Sequence, residues 1–117
     1  MISKKVFTVC IFLFCMGIFS NAAFSAGMYI HVPDMSKIKY QLTSDGHVYF
    51  RNLNEFNNQV TGCCYAFYLD TSTTFGKSAW STILMKMASK KDLYMYVQKN
   101  DPPTSGDPVP INHIGNW

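Results

Sequence analysis

Residues 63–91 read Cys-Cys-Tyr-Ala-Phe-Tyr-Leu-Asp, then Thr-Ser-Thr-Thr, then Phe-Gly-Lys-Ser-Ala-Trp-Ser-Thr-Ile-Leu-Met-Lys-Met-Ala-Ser-Lys-Lys. From Cys63 to Asp70 the side chains alternate. Tyr65, Phe67 and Leu69 share one face, and Cys64, Ala66 and Tyr68 the other, which is the period of a β-strand. The hydroxyls of Thr71 to Thr74 are N-cap candidates, because a cap oxygen accepts one of the free amides of a first helical turn. From Gly76 to Lys91 the apolar side chains recur at helical spacing, with Ala79, Trp80, Ile83, Leu84, Met87 and Ala88 in one half of the wheel. A strand therefore runs directly into the chain's single long helix.

On the N-terminal side, Met28 to Val32 is a short β-favouring run interrupted by Pro33 and Asp34. Lys37 to Thr43 alternates as a half-buried strand, with Ile38, Tyr40 and Leu42 on one face. Ser44-Asp45-Gly46 supplies a hairpin turn, and His47 to Leu53 forms the returning strand, Val48, Phe50 and Asn52 opposite Tyr49, Arg51 and Leu53. Asn54 to Gly62 reads as a polar loop. Beyond the helix, Leu93 to Gln98 alternates Leu93, Met95 and Val97 against Tyr94, Tyr96 and Gln98. Asn100 to Pro108 is a proline-rich exposed loop, and Val109 to Ile114 a last short strand. The order β-β-β-α-β-β, mainly β with one helix, is that of a five-stranded OB-fold barrel. Closure suits strands this short, because it leaves no edge exposed.

The first 25 of the 117 residues differ in kind. Lys4 and Lys5 precede an apolar run from Val6 to Phe19 and then the small or polar residues Ser20 to Ala26, the layout of a secretory signal peptide. Small-x-small cleavage fits after Ser25, through Ala23 and Ser25, and also after Ala22; Ser25 is taken, leaving 26–117 as one OB-fold domain. The run is shorter than the ~20 residues of a membrane span, and no later segment offers one. Neither Cys10 nor Cys15 follows the small residues of a lipoprotein signal. The expected location is secreted or periplasmic, in a bacterium.

Without that segment 92 residues remain, with 8 basic against 7 acidic side chains, so the charge falls from +3 to +1. Such a chain lacks the phosphate-neutralising surplus of a general nucleic-acid binder. Only Cys63 and Cys64 remain of the four cysteines. On a strand they would point to opposite faces, one into the core and one outward as a thiol. Seven Tyr, four Phe and two Trp also remain, enough for a small core. A domain this size buries roughly two-thirds of its unfolded surface and gains from oligomerisation.

Cys64 to Thr73, Gly76 to Ser81, and Lys90-Lys91 before Leu93-Tyr94-Met95-Tyr96-Val97 resemble a group of small secreted bacterial OB-fold proteins. These in turn are similar to the receptor-binding B subunits of five-subunit bacterial toxins, including the subtilase cytotoxin type. The likeness covers residues 37–114, and its most specific part is Asp70-Thr71-Ser72-Thr73 with Gly76-Lys77 before the helix. It implies helices lining a central pore, strands paired between subunits, an outer face that binds cell-surface glycans, and a catalytic A subunit as a possible partner. Such subunits commonly close a disulfide from near the third strand to a later segment; here no cysteine follows Cys64.

Other motifs carry less. Gly76-Lys77-Ser78 ends an eight-residue stretch like that of a phosphate-binding loop, but Thr71 stands where that loop needs glycine, and 92 residues hold no nucleotide-hydrolase sheet. His31, His47, Cys63, Cys64 and His113 show no metal-ligand spacing, and no nucleophile-base arrangement can be argued, so neither a metal, a cofactor nor enzymatic activity is expected. The helix face away from the core holds Ser78, Ser81, Thr82, Met85, Lys86 and Ser89, small and poor in charge. It is either an ordinary polar surface or, as identical subunits closing a ring would require, an oligomer interface through Ser78, Ser81, Thr82, Met85 and Ser89. On the strands, Tyr49, Arg51 and Tyr68, with Tyr94 and Tyr96 as further candidates, offer flat rings and hydroxyls beside one cation. Such a face suits a glycan or glycoprotein, or serves as an interface, since aromatic residues are enriched there too. The alternative expectation is a periplasmic adaptor or inhibitor that binds another protein.

Overall fold

The computed structural model describes residues 27–60, 63–98 and 103–117. The expected signal peptide, its cleavage site and part of the proline-rich loop lie outside those residues. The chain is mainly β with one long helix: β1 Gly27–Val32, β2 Tyr40–Leu42, β3 His47–Phe50, β4 Phe67–Asp70, α1 Thr74–Ser89, β5 Leu93–Gln98, β6 Val109–Pro110 and β7 His113–Gly115. Short 3-10 turns at Met35–Lys37 and Leu53–Glu55 fill the bends.

These strands form two sheets, β1-β5-β7 and β2-β3-β4-β6, antiparallel throughout except for the parallel pair β4-β6. The mainly β class with one helix is as expected; the strands stand in two sheets, with no closed barrel among the described residues. The chain passes from one sheet to the other at two breaks, after Val32, where Pro33 and Asp34 interrupt the β-favouring run as expected, and inside the expected Val109–Ile114 strand. At the first break Pro33 has no amide to give a ladder, and Asp34 instead caps a 3-10 turn by accepting from the Ser36 amide at 3.0 Å. At the second, two consecutive amides serve different sheets: Ile111 N–H donates to the Tyr68 carbonyl and Asn112 N–H to that of Tyr96, both at 2.8 Å.

The core lies between the sheets. Ile30 and Val32, Val48 and Phe50, Phe67 and Leu69, and Leu93, Met95 and Val97 point inward with the period of two that strands impose. Asn52, read as sharing the face of Val48 and Phe50, is buried, and it is fully hydrogen-bonded: its Nδ2 donates to Lys37 O at 3.0 Å and Glu55 Oε2 at 3.1 Å, and its Oδ1 accepts from Lys39 N at 2.8 Å. A polar side chain in the core is stable on those terms.

Helix α1 opens two residues earlier than expected. The Thr73 hydroxyl accepts from the Gly76 amide at 2.9 Å, and the helix closes at Lys90 in the left-handed conformation, φ 57°. Ala79 and Ile83 are buried, and Trp80 and Met87 pack against the core, as expected. Leu84 and Ala88, expected on the core face, are instead exposed, so the buried stripe is narrower than the apolar one. Cys63 to Ala66, expected to begin the third strand, is irregular. The Lys37–Thr43 strand shrinks to β2, with Ile38 buried but Tyr40 and Leu42 exposed.

Candidate functional site: an aromatic face on the four-stranded sheet

The β2-β3 turn sets one end of the site. Gly46, at φ 87°, takes the left-handed conformation this turn needs, and its carbonyl accepts from the Thr71 amide at 3.0 Å and hydroxyl at 2.6 Å. Asp45 accepts from the Thr43 hydroxyl and from the His47 amide at 3.2 Å, and its Oδ2 lies 2.8 Å from His47 Nδ1. These bonds, that of Thr43 above all, hold the Asp45 carboxyl down at about 2. Asp70, whose carboxyl is likewise lowered chiefly by hydrogen bonds from Ser72, lies 4.0 Å from His47 Nε2. Two carboxylates thus flank the imidazole, that of Asp45 within hydrogen-bonding distance.

From His47 the rings continue across the sheet. Tyr49 on β3 faces Tyr68 on β4 in register. The His47 ring meets Tyr68 edge-on at 5.0 Å, Tyr49 lies 5.9 Å from Tyr68, and Tyr65 meets Tyr49 edge-on at 5.2 Å. The Arg51 guanidinium lies over the Tyr65 ring at 4.9 Å, its Nη1 donating to the Tyr65 hydroxyl at 2.9 Å and to Gln41 Oε1. The Tyr65 hydroxyl in turn donates to Gln41 Oε1 at 2.8 Å. All three side chains expected to bind, Tyr49, Arg51 and Tyr68, therefore stand on one outer face.

Sequence reasoning missed three members of this face. Tyr65 was assigned to the side of Phe67 and Leu69, but the chain is irregular before Phe67, so the alternation does not reach it, and Tyr65 is exposed. Metal-ligand spacing says nothing of His47's neighbours, and the alternation of 37–43 sets Gln41 opposite Ile38, Tyr40 and Leu42 without joining it to any ring. The signal for both is register: Gln41 pairs with Tyr49, and His47 is two residues before Tyr49 on the same strand face.

Cys63 and Cys64 are joined to each other by a disulfide, which corrects the expectation of one core thiol and one exposed thiol. In irregular backbone the two side chains are not forced to opposite faces. The Ser105 hydroxyl secures this segment, accepting from the Cys64 amide at 2.9 Å and the Tyr65 amide at 3.3 Å and donating to Cys63 O. It thereby positions Tyr65.

Tyr94 and Tyr96 lie on the other sheet, away from this face, in a separate ring cluster with Tyr29, His31, His113 and Trp117. On α1, the hydroxyls of Ser81, Thr82 and Ser89 donate to the carbonyls of Lys77, Ser78 and Met85, four residues back, at 3.0, 3.0 and 2.8 Å. Each hydroxyl spends its proton within its own helix, beside exposed Leu84 and Met85.

The described residues enclose no cavity and bring no three metal-ligating side chains together. What the face can do is hold a flat or weakly amphipathic group: ring faces for apolar C–H surface, hydroxyl, amide and guanidinium groups for hydroxyls. No helix among the described residues is long and apolar enough to cross a membrane. Comparison with known proteins found no family model, no curated protein and no solved structure that matches the chain.

Proposed function

We propose that this is a secreted bacterial binding protein of the toxin B-subunit type, which recognises a cell-surface glycan or glycoprotein through the outer face of β2-β3-β4 and assembles as a ring. The observation that carries the proposal is the joining of Tyr49, Tyr65, Tyr68, Arg51, Gln41 and His47 in one open, hydrogen-bonded surface. Stacking on sugar C–H faces needs flat rings held in place, and sugar hydroxyls need donors and acceptors beside them. A single arginine, already bonded to two neighbours, is too little positive charge for a phosphate backbone.

The strand connections support an OB-type circuit. If β1 with β2, and β6 with β7, are each one bent strand, the pairings run round through β3, β4 and β5 and back to the start. The α1 face supports the ring: its hydroxyls are internally bonded and Leu84, Met85 and Phe75 are exposed at 41, 60 and 42 %. Neighbouring helices approach closely on such a surface. That same apolar surface also favours the second reading, a periplasmic adaptor or inhibitor that docks another protein there and binds no sugar.

A glycan array probed with the secreted chain separates the two. Saturable binding to a defined set of glycans, lost in Tyr68→Ala, is expected. A wild-type chain that binds no glycan, yet captures a protein partner still bound after glycosidase treatment, would replace the first reading with the second.

A further inference from the structure

The ring cluster on the three-stranded sheet is a second built surface. Across the strands Tyr29 faces Tyr96 and His31 faces Tyr94, and on the far side Tyr96 faces His113. His31 stacks on Tyr94 at 4.2 Å and His113 on Tyr96 at 4.3 Å, both pairs within 17° of parallel. Trp117 folds back over the sheet, stacked on Tyr94 at 5.2 Å and edge-to-face with Tyr29 at 5.6 Å and 80°. Two glycines make room: a Cβ on Gly115 would run into the Trp117 indole, and one on Gly27 into the Tyr96 ring. Trp117 and Tyr29 nevertheless remain 58 and 54 % exposed. The result is an exposed corner in which Trp117 is stacked on Tyr94 and Tyr29 leans on Tyr96 at 4.7 Å and 52°.

Charge decides what such a corner accepts. On the four-stranded sheet the aromatic face already carries its own cation, Arg51 over Tyr65. Among the described residues no lysine or arginine lies over any of these six rings, and Asp92, at their rim, lies 3.2 Å from His31. Ring faces attract cations, above all quaternary ammonium groups, which shed water easily. Rings that carry no lysine or arginine among the described residues offer little to a phosphate backbone. No cavity encloses a free small molecule, whereas an open face lined by Tyr and Trp, apolar in body and polar at the tip, suits a lipid interface.

We propose that this face binds the trimethylammonium headgroups of a phosphatidylcholine surface, with Trp117 and Tyr29 as the cation-binding walls and the tyrosine hydroxyls available to the adjoining phosphate. It stands apart from the glycan face, on different residues of a different sheet.

Co-sedimentation of the full chain with vesicles tests it. The chain is expected to partition onto phosphatidylcholine vesicles, to be displaced by free phosphocholine, and to bind phosphatidylglycerol vesicles far less. Trp117→Leu and Tyr29→Leu, both at exposed rings, should each weaken partitioning about tenfold, roughly 1.4 kcal/mol. Trp117→Leu should leave any glycan binding unchanged, so the two surfaces fail or hold separately. Equal binding to both vesicle types, binding to neither, insensitivity to phosphocholine, or wild-type partitioning by both variants would overturn the proposal.

Discussion

At the scale of single residues, Asp45 and Gly76 make the sharpest tests. Asp45 has its carboxyl lowered to about 2 by bonds from Thr43 and His47 that exist only in the folded turn. A group depressed on folding stabilises above its unfolded value, near 3.8, and that contribution is lost as pH falls towards about 2. Thermal unfolding should therefore show a fall in melting temperature across this window, and Asp45→Asn should flatten it; Asp34 and Asp70, lowered in the same sense, add to the slope that remains. Gly76 is buried at the start of α1, where a Cβ would collide with the Asp70 carbonyl. Helix propensity alone favours Gly76→Ala by about 1 kcal/mol. Steric overlap reverses the sign, and a net loss of about 1–3 kcal/mol is expected in urea unfolding. Alternation shows which side chains share a strand face, which is why Tyr49, Arg51 and Tyr68 were found together. It does not show where a strand begins, and Tyr65 was misplaced for that reason.

At the scale of elements, β5 was legible to its bounds because Leu93 to Gln98 alternates without a break and is paired along its length with β1. The edge strands β2, β6 and β7 were not. Whether Pro33 or Ile111-Asn112 ends a strand or hands it to another sheet depends on partners distant in sequence, and local period carries no sign of them. In α1 the apolar stripe was read wider than the buried one, since Leu84 and Ala88 match the period but face outward. That mismatch is what oligomerisation would use. Met85→Glu should reduce the solution mass measured by light scattering to that of a monomer while leaving circular dichroism unchanged; a wild type that is already monomeric at high concentration would remove the ring. Thr73→Ala, which removes the cap on Gly76, should cost about 1 kcal/mol in the same urea assay.

At the scale of the whole molecule, two sheets share one core and carry two unlike aromatic faces outward. One holds a cation over a tyrosine, Arg51 on Tyr65, and among the described residues no lysine or arginine lies over the rings of the other. The overall class, mainly β with one helix, followed from the alternation on either side of residues 74–89, whereas the division of the tyrosines between two sheets required the three-dimensional pairing. Recognition by the four-stranded face is the central claim, and Arg51 is its most discriminating member because it supplies both charge and a ring contact. Calorimetric titration of the tightest glycan from the array into wild type and Arg51→Ala tests it most directly. The expected result is a dissociation constant raised at least tenfold, about the 1.5–3 kcal/mol of a hydrogen bond to a charged group, with an unchanged melting temperature. Equal affinity in the two proteins would contradict the claim.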